Sequence, residues 1–256
     1  QPAEEGGGGG HEMVRDGLME KFGIVEVYGM HNMPGLAVGS FATRNGPIMA
    51  ATDEFVIVIR GRGAHAAMPH RGIDPVLIAA HVITSLQTIV ARRTDPFSST
   101  VVSVTKMHGG SAHNVIPDEV SLGGTIRTLT DEIRTWTQAE VRRIAEGIAS
   151  AHGADAKVSI HPGYPVTVNH PVQTEAALEA ARIIAGDALV DADTTPTMGG
   201  EDFSYMLNAR PGNFIFIGNG DTAGLHNPNY DFNDEIIPFG VSYWVKLAET
   251  RLAEIA

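Results

Sequence analysis

Apolar residues recur along this chain with two periods, and the switches between them outline its elements. After a run of glycines at residues 6–10, Val14, Leu18 and Phe22 fall at i, i+4 and i+8 and predict one apolar face of a helix. Residues 24–30 (IVEVYGM) predict a short buried strand delivering His31 at its C-terminal end, the end where open α/β sheets commonly bind ligands. Residues 54–60 (EFVIVIR) are β-branched and predict another strand. Residues 75–93 then carry Val76, Ala80, Ile83, Leu86 and Val90 at helical spacing, with Pro75 tolerated in the first turn.

Two alternating stretches follow. In residues 100–107, Val102 and Val104 oppose Ser103 and Thr105; in residues 119–128, Val120, Leu122 and Ile126 share a face and leave Arg127 on the other. Residues 131–152 predict a second helix, with Asp131 and Glu132 at its positive end and Gly153 beyond its other end. Residues 157–160 close the series as a strand. The order βαββαβ is that of the split-βαβ or ferredoxin-like unit. Beyond Pro162 the pattern returns to the style of the first fifty residues: a helix at 172–185, a polar TMGGEDF turn, an apolar strand at 213–218 and an amphipathic C-terminal helix from Pro238. The expected fold class is therefore α/β, with a ferredoxin-like domain at 51–163 inserted into an α/β domain made of residues 1–50 and 164–256.

Composition narrows the function. The chain has 256 residues, 43% of them hydrophobic, enough for one large or two modest cores. No run of residues reaches the roughly 18 apolar positions of a membrane span. A net charge of −12, from 18 Lys+Arg against 30 Asp+Glu, disfavours nucleic-acid binding and suits bound cations. There is no cysteine, hence neither a disulfide framework nor a thiolate zinc site. The opening residues show no basic n-region and no apolar h-region, and the expected location is cytoplasmic.

Several residues could carry chemistry, each with a plain alternative. Glu4 and Glu5 could divide labour, one binding a cation and the other moving a proton, or could be a solvated acidic pair. His31 (MHNMPG) and His226 (GLHNPNYDFND) could be ligands or innocent loop histidines. His65, amid glycine and alanine in GRGAHAAMPH, suits a mobile or interfacial donor, or a surface turn. Arg127 could grip a carboxylate or form a cross-strand salt bridge. There is no G-x-S-x-G elbow and no G-x-x-x-x-G-K-[ST] loop.

Taken in order, QPAEEGGGG, VYGMHNMPG, GAHAAMPHRGIDP, GGSAHNVIPDEV, GTIRT, MGGEDF and LHNPNYDFNDE resemble successive blocks of the M20 amidohydrolase family. The branch they resemble most holds hippurate hydrolases, N-acyl-amino-acid amidohydrolases (aminoacylases) and indole-acetyl-amino-acid hydrolases. The resemblance implies a zinc-peptidase-like catalytic domain with an inserted lid and dimerisation domain. It implies hydrolysis of N-acyl amino acids, with Glu4 as general base toward a metal-activated water. Glu5, His31 and His226 would be metal ligands for two divalent cations, zinc or manganese, with nickel or cobalt also admitted. His65 would stabilise the oxyanion, typically from the second subunit of a homodimer. Asn114 and Arg127 would hold the substrate, with Gly200 of the GGED turn nearby. An upstream block resembling C-G-H-D-x-H has no match here, so the α/β domain is expected to be N-terminally incomplete and its sheet to have an exposed edge. Alternatives on the same scaffold are a non-catalytic dimerisation or binding protein and a di- or carboxypeptidase.

Overall fold

A computed structural model describes residues 3–255; Gln1 and Pro2, which open the QPAEEG motif, and Ala256 lie outside the described residues. The chain divides into two units, one of Gln1–Met49, Thr167–Thr197 and Glu201–Ala256, the other of Ala50–Val166 with Met198–Gly200. The return of Met198–Gly200 to the second unit has no counterpart in the periodicity.

The first unit opens with two short helices, α1 (Gly9–Arg15) and α2 (Leu18–Lys21). Gly17, at φ 83, breaks what the spacing predicts as one helix, because only glycine takes that left-handed conformation without cost. Val14 and Leu18 pack on the core as expected, but the break turns Phe22 outward, where it is 74% exposed. Strands β1 (Val27–Pro34), β2 (Phe41–Ala42) and β3 (Gly46–Met49) follow. His31 therefore lies within β1, not beyond its end, because the strand starts and stops later than the apolar run suggests.

The second unit begins with β4 (Ala51–Arg60), β5 (Ala64–His65) and α3 (Pro75–Thr88), the last continuing into a π-helical turn over Ile89–Arg93. Then come β6 (Thr100–Gly109), β7 (Val115–Ile116), β8 (Glu119–Thr128), α4 (Asp131–Ala151) and β9 (Asp155–Pro162). The sheet order is β6-β8-β4-β9 with every pairing antiparallel, while β5 and β7 form a separate two-stranded ribbon. The alternation in β8 holds: Val120, Leu122 and Ile126 are all buried. The predicted face of α3 does not. Ile78, Ala79, Val82, Leu86 and Ile89 face the core, and Val76 and Val90 are exposed. A helix apolar on most sides offers two stripes, and the pattern alone does not choose between them. Pro75–Arg93 is also the one helical stretch among the described residues long and apolar enough, by length and composition, to cross a membrane. Its buried stripe packs into the core of this unit.

The chain re-enters the first unit through β10 (Thr167–Asn169), α5 (Pro171–Ala185) and β11 (Val190–Asp191). It ends in α6 (Ser204–Ala209), β12 (Gly212–Gly220) and α7 (Ile237–Ile255). One sheet has the order β1-β12-β2-β11 and a second pairs β10 with β3. Every residue of β12 is buried. Phe214 and Phe216 join one core with Met19, Phe203 and Leu207, while Ile215 and Ile217 join another with Ala177, Ala181 and Tyr243. A strand covered on both faces reads as an unbroken apolar run.

Polar burial in the second unit centres on Asp53, which is 1% exposed. Arg134 donates to it through Nε at 3.1 Å, and Gln138 through Nε2 at 2.6 Å. Removing one member of a buried pair strands the other charge. Asp53→Ala is therefore expected to destabilise this unit by about 3–5 kcal/mol in urea unfolding, whereas an exposed pair such as Arg60–Glu119 is worth about 1 kcal/mol or less.

Candidate active site

The first unit brings Glu4 and Glu5 toward both predicted histidines. The glycine-rich opening folds as a turn in which Ala3 takes φ 56 and its carbonyl accepts the Gly7 amide at 2.8 Å. Glu4 is half-buried in that turn and Glu5 is exposed. His31, opposite Phe216 in the β1–β12 register, donates from Nδ1 to its neighbour Asn32's carbonyl oxygen at 2.6 Å. That leaves Nε2 as its free nitrogen, the arrangement common among metal-bound histidines. His226 follows β12 in a loop where it takes φ 62, and its Nε2 lies 3.8 Å from Glu5 Oε2.

Glu4 and His31 line a cavity of about 550 Å³ together with Glu201, Tyr28, Met30 and Trp244. Glu201 is the residue that sequence reasoning passed over. It is 4% exposed, and its Oε1 accepts the Phe203 amide at 3.0 Å. Burial pushes its carboxyl up to about 7, helped by the charges of Glu4 and Asp202, while the Phe203 hydrogen bond opposes the shift. Glu4 is raised as well, first by burial, then by Glu5 and Asp202, against the opposing pull of His31 and of an amide hydrogen bond from Asp202. The signal for Glu201 was present in the MGGEDF block, but its burial was not.

The remaining predicted residues belong to the second unit. β5 and β7 pair His65 with Val115, which sets Asn114 one residue away; the Asn114 carbonyl accepts the Ala66 amide at 3.0 Å. Both residues are exposed. The His65 Nδ1 accepts the Ala67 amide at 3.1 Å, so the neutral ring carries its proton on Nε2 and presents a donor outward. Arg127 sits across from Thr52 in β4 and Val101 in β6, so the cross-strand salt bridge is not formed. It donates to Thr125 and to the Ile126 carbonyl and has no ion-pair partner among the described residues. Gly200 is packed: a Cβ there would collide with the Thr52 methyl group.

The donors suit a divalent cation in kind. An imidazole nitrogen and a carboxylate oxygen 3.8 Å apart can share one ion bound about 2 Å from each. Among the described residues no group of three or more His, Cys, Asp or Glu stands close enough to hold a metal by itself. Glu5 and His226 are thus two donors of the right kind near one another.

A family model described as peptidase family M20/M25/M40 matches residues 1–250. The N-acetyl-L-cysteine deacetylase of Bacillus subtilis (strain 168) is 39% identical over 254 residues, covering 99% of this chain and 60% of that protein. The hippurate hydrolase of Campylobacter jejuni is 37% identical over 248 residues, covering 97% of this chain and 65% of that protein. The crystal structure of the YXEP protein of Bacillus subtilis, described as a dinuclear metal binding peptidase from the M20 family, superposes with a TM-score of 0.80. It is 33% identical and covers 97% of this chain and 62% of that one. This chain thus spans about three-fifths of the length of the deacetylase.

The raised Glu201 carboxyl has a consequence for stability. The folded chain holds that proton more tightly than the unfolded chain, whose carboxyl titrates near 4.5. Its contribution is complete below about 4.5 and is lost as pH rises through about 7. The shift corresponds to roughly 3 kcal/mol. In chelator-treated protein, Glu201→Gln is expected to raise stability at about pH 8 and to change it little at about pH 4.5. Urea unfolding at both values checks this, and an equal effect at the two would show that the native carboxyl is not held protonated.

Proposed function

The chain belongs to peptidase family M20/M25/M40, and from that premise we propose that it carries working parts of a metal-dependent amidohydrolase cleaving the amide bond of N-acyl amino acids. The observation that carries the reading is the meeting of Glu5 with His226 while the neighbouring Glu4 shares a cavity with His31. Residues from the beginning, the first strand and a late loop of the sequence supply a base and cation ligands in one unit.

Divalent cations held by Glu5, His31 and His226 would supply Lewis acidity toward a water and the scissile carbonyl. The residues of the chain do the rest. Glu4, which shares the cavity with His31, would accept the water's proton and return it to the leaving amine. His65 offers its Nε2–H to the oxyanion, a role supported by the amide bond that fixes its tautomer. Arg127, a half-buried cation with no ion pair among the described residues, is suited to grip a substrate carboxylate through its planar fork, with Asn114 as a further polar contact. Gly200 contributes by leaving room for Thr52. A homodimer joined through the second unit completes the reading; the sheet of that unit ends on β6, whose last five residues are exposed.

Metal titration and hydrolysis of N-acetyl and N-benzoyl amino acids test the reading. Glu4→Gln is expected to lower kcat by about 100-fold or more without lowering metal content. Full turnover by that variant would remove Glu4 as the base. Preference for dipeptides with a free amino group would shift the assignment to a peptidase. Arg127→Ala is expected to raise KM about 10-fold or more for acyl amino acids and much less for the matching amides. Equal changes for both would refute the carboxylate grip.

A further inference from the structure

Glu4 stands on a glycine-rich turn closed by the Gly7 amide on the Ala3 carbonyl. Ala3 and Gly8 are both left-handed, and Glu5, Gly6 and Gly7 are exposed. A glycine-rich turn has many conformations to lose, so a base mounted on it needs fastening from elsewhere.

One residue meets this turn twice. Asp202 is 0% exposed, and its Oδ2 accepts the Gly10 amide at 2.8 Å in the first turn of α1. Its own backbone amide donates to the Glu4 carboxylate. Glycine at position 10 permits the approach, since a Cβ there would stand 2.9 Å from the Asp202 carbonyl oxygen and 3.1 Å from its carboxyl carbon. One residue further along α1, the His11 ring stacks on Tyr205 of α6 with centroids 4.4 Å apart, tying the same two segments together.

We propose that Asp202 is the positioning residue for Glu4. Its carboxylate fastens the start of α1 while its main chain holds the Glu4 carboxyl group itself. This rests on the reading of Glu4 as general base. Asp202 acts by limiting where the Glu4 oxygens can go. Misplacing a catalytic group by about 1 Å costs on the order of 100-fold in rate. Loss of Asp202 therefore falls on kcat and spares KM.

Amide hydrogen exchange at Gly10 and steady-state kinetics, both on the full chain, test the proposal with Asp202→Ala and Asp202→Asn. Asparagine keeps an oxygen able to accept from Gly10. Asp202→Ala is expected to speed Gly10 exchange by about 10-fold or more and to lower kcat by about 100-fold, with KM within about 2-fold. Asp202→Asn recovers most of both. In a Glu4→Gln background Asp202→Ala adds no further loss, because the group it positions is gone. Unchanged Gly10 exchange in Asp202→Ala, or an equal kcat loss in both backgrounds, overturns the proposal. If Glu4→Gln alone keeps full turnover, the function reading fails, and Gly10 exchange still decides whether the clamp exists. Should alanine at 202 prevent folding, Asp202→Glu, which displaces the carboxylate by one methylene, takes its place with the same expected split.

Discussion

The burial of β12 on both faces is the constraint from which the first unit follows. A strand with no exposed residue must have its backbone groups paired by neighbouring strands and both rows of its side chains covered. β1 and β2 meet the first demand. The alternation of Phe214 and Phe216 with Ile215 and Ile217 meets the second, seating one group of helices on the phenylalanine side and another on the isoleucine side. The proposed site residues are arranged around this strand. His31 is in register with Phe216, the turn bearing Glu201 and Asp202 leads into α6 just before it, and the His226 loop follows it.

Around that frame the structure accumulates negative charge against its own interest. Glu5 and Asp202 act on Glu4, and Glu4 and Asp202 on Glu201, so that both carboxyls are raised by burial first and by that crowding second. Elsewhere in the molecule buried acids are matched: Asp53 by Arg134, Glu140 by Arg93 and Arg143, Glu26 by Arg251. The contrast is informative. Crowded carboxylates in a concave site carry an electrostatic cost, relieved by a proton or by a cation.

Alternating strands were legible in the sequence because one face of each is buried and the other is not: Val120, Leu122 and Ile126 of β8 needed only a period of two. The stripe on α3 was not legible, since Val76 and Ile78 are equally apolar and only the packing partner distinguishes them. The break at Gly17 was visible as a glycine, but its left-handed φ was not. In the candidate site, residue types in recognisable blocks pointed to Glu4, Glu5, His31 and His226. The approach of Glu5 to His226 and the cavity shared by Glu4 and His31 depend on long-range topology, to which spacing is blind. Glu201 lies in the MGGEDF block, and what sets it apart is desolvation, a property of its surroundings and not of its letter. For Arg127 the sequence left two options open, and the register decided against the salt bridge by setting it across from Thr52 and Val101.

β1 closes one end of the sheet in the first unit, pairing among the described residues with β12 alone. Its outer side therefore presents a row of amide and carbonyl groups that accept any extended backbone of suitable length. An edge of this kind is where strands from separate molecules can pair. A lysine at a β1 position away from the cavity lining would oppose such pairing by its charge.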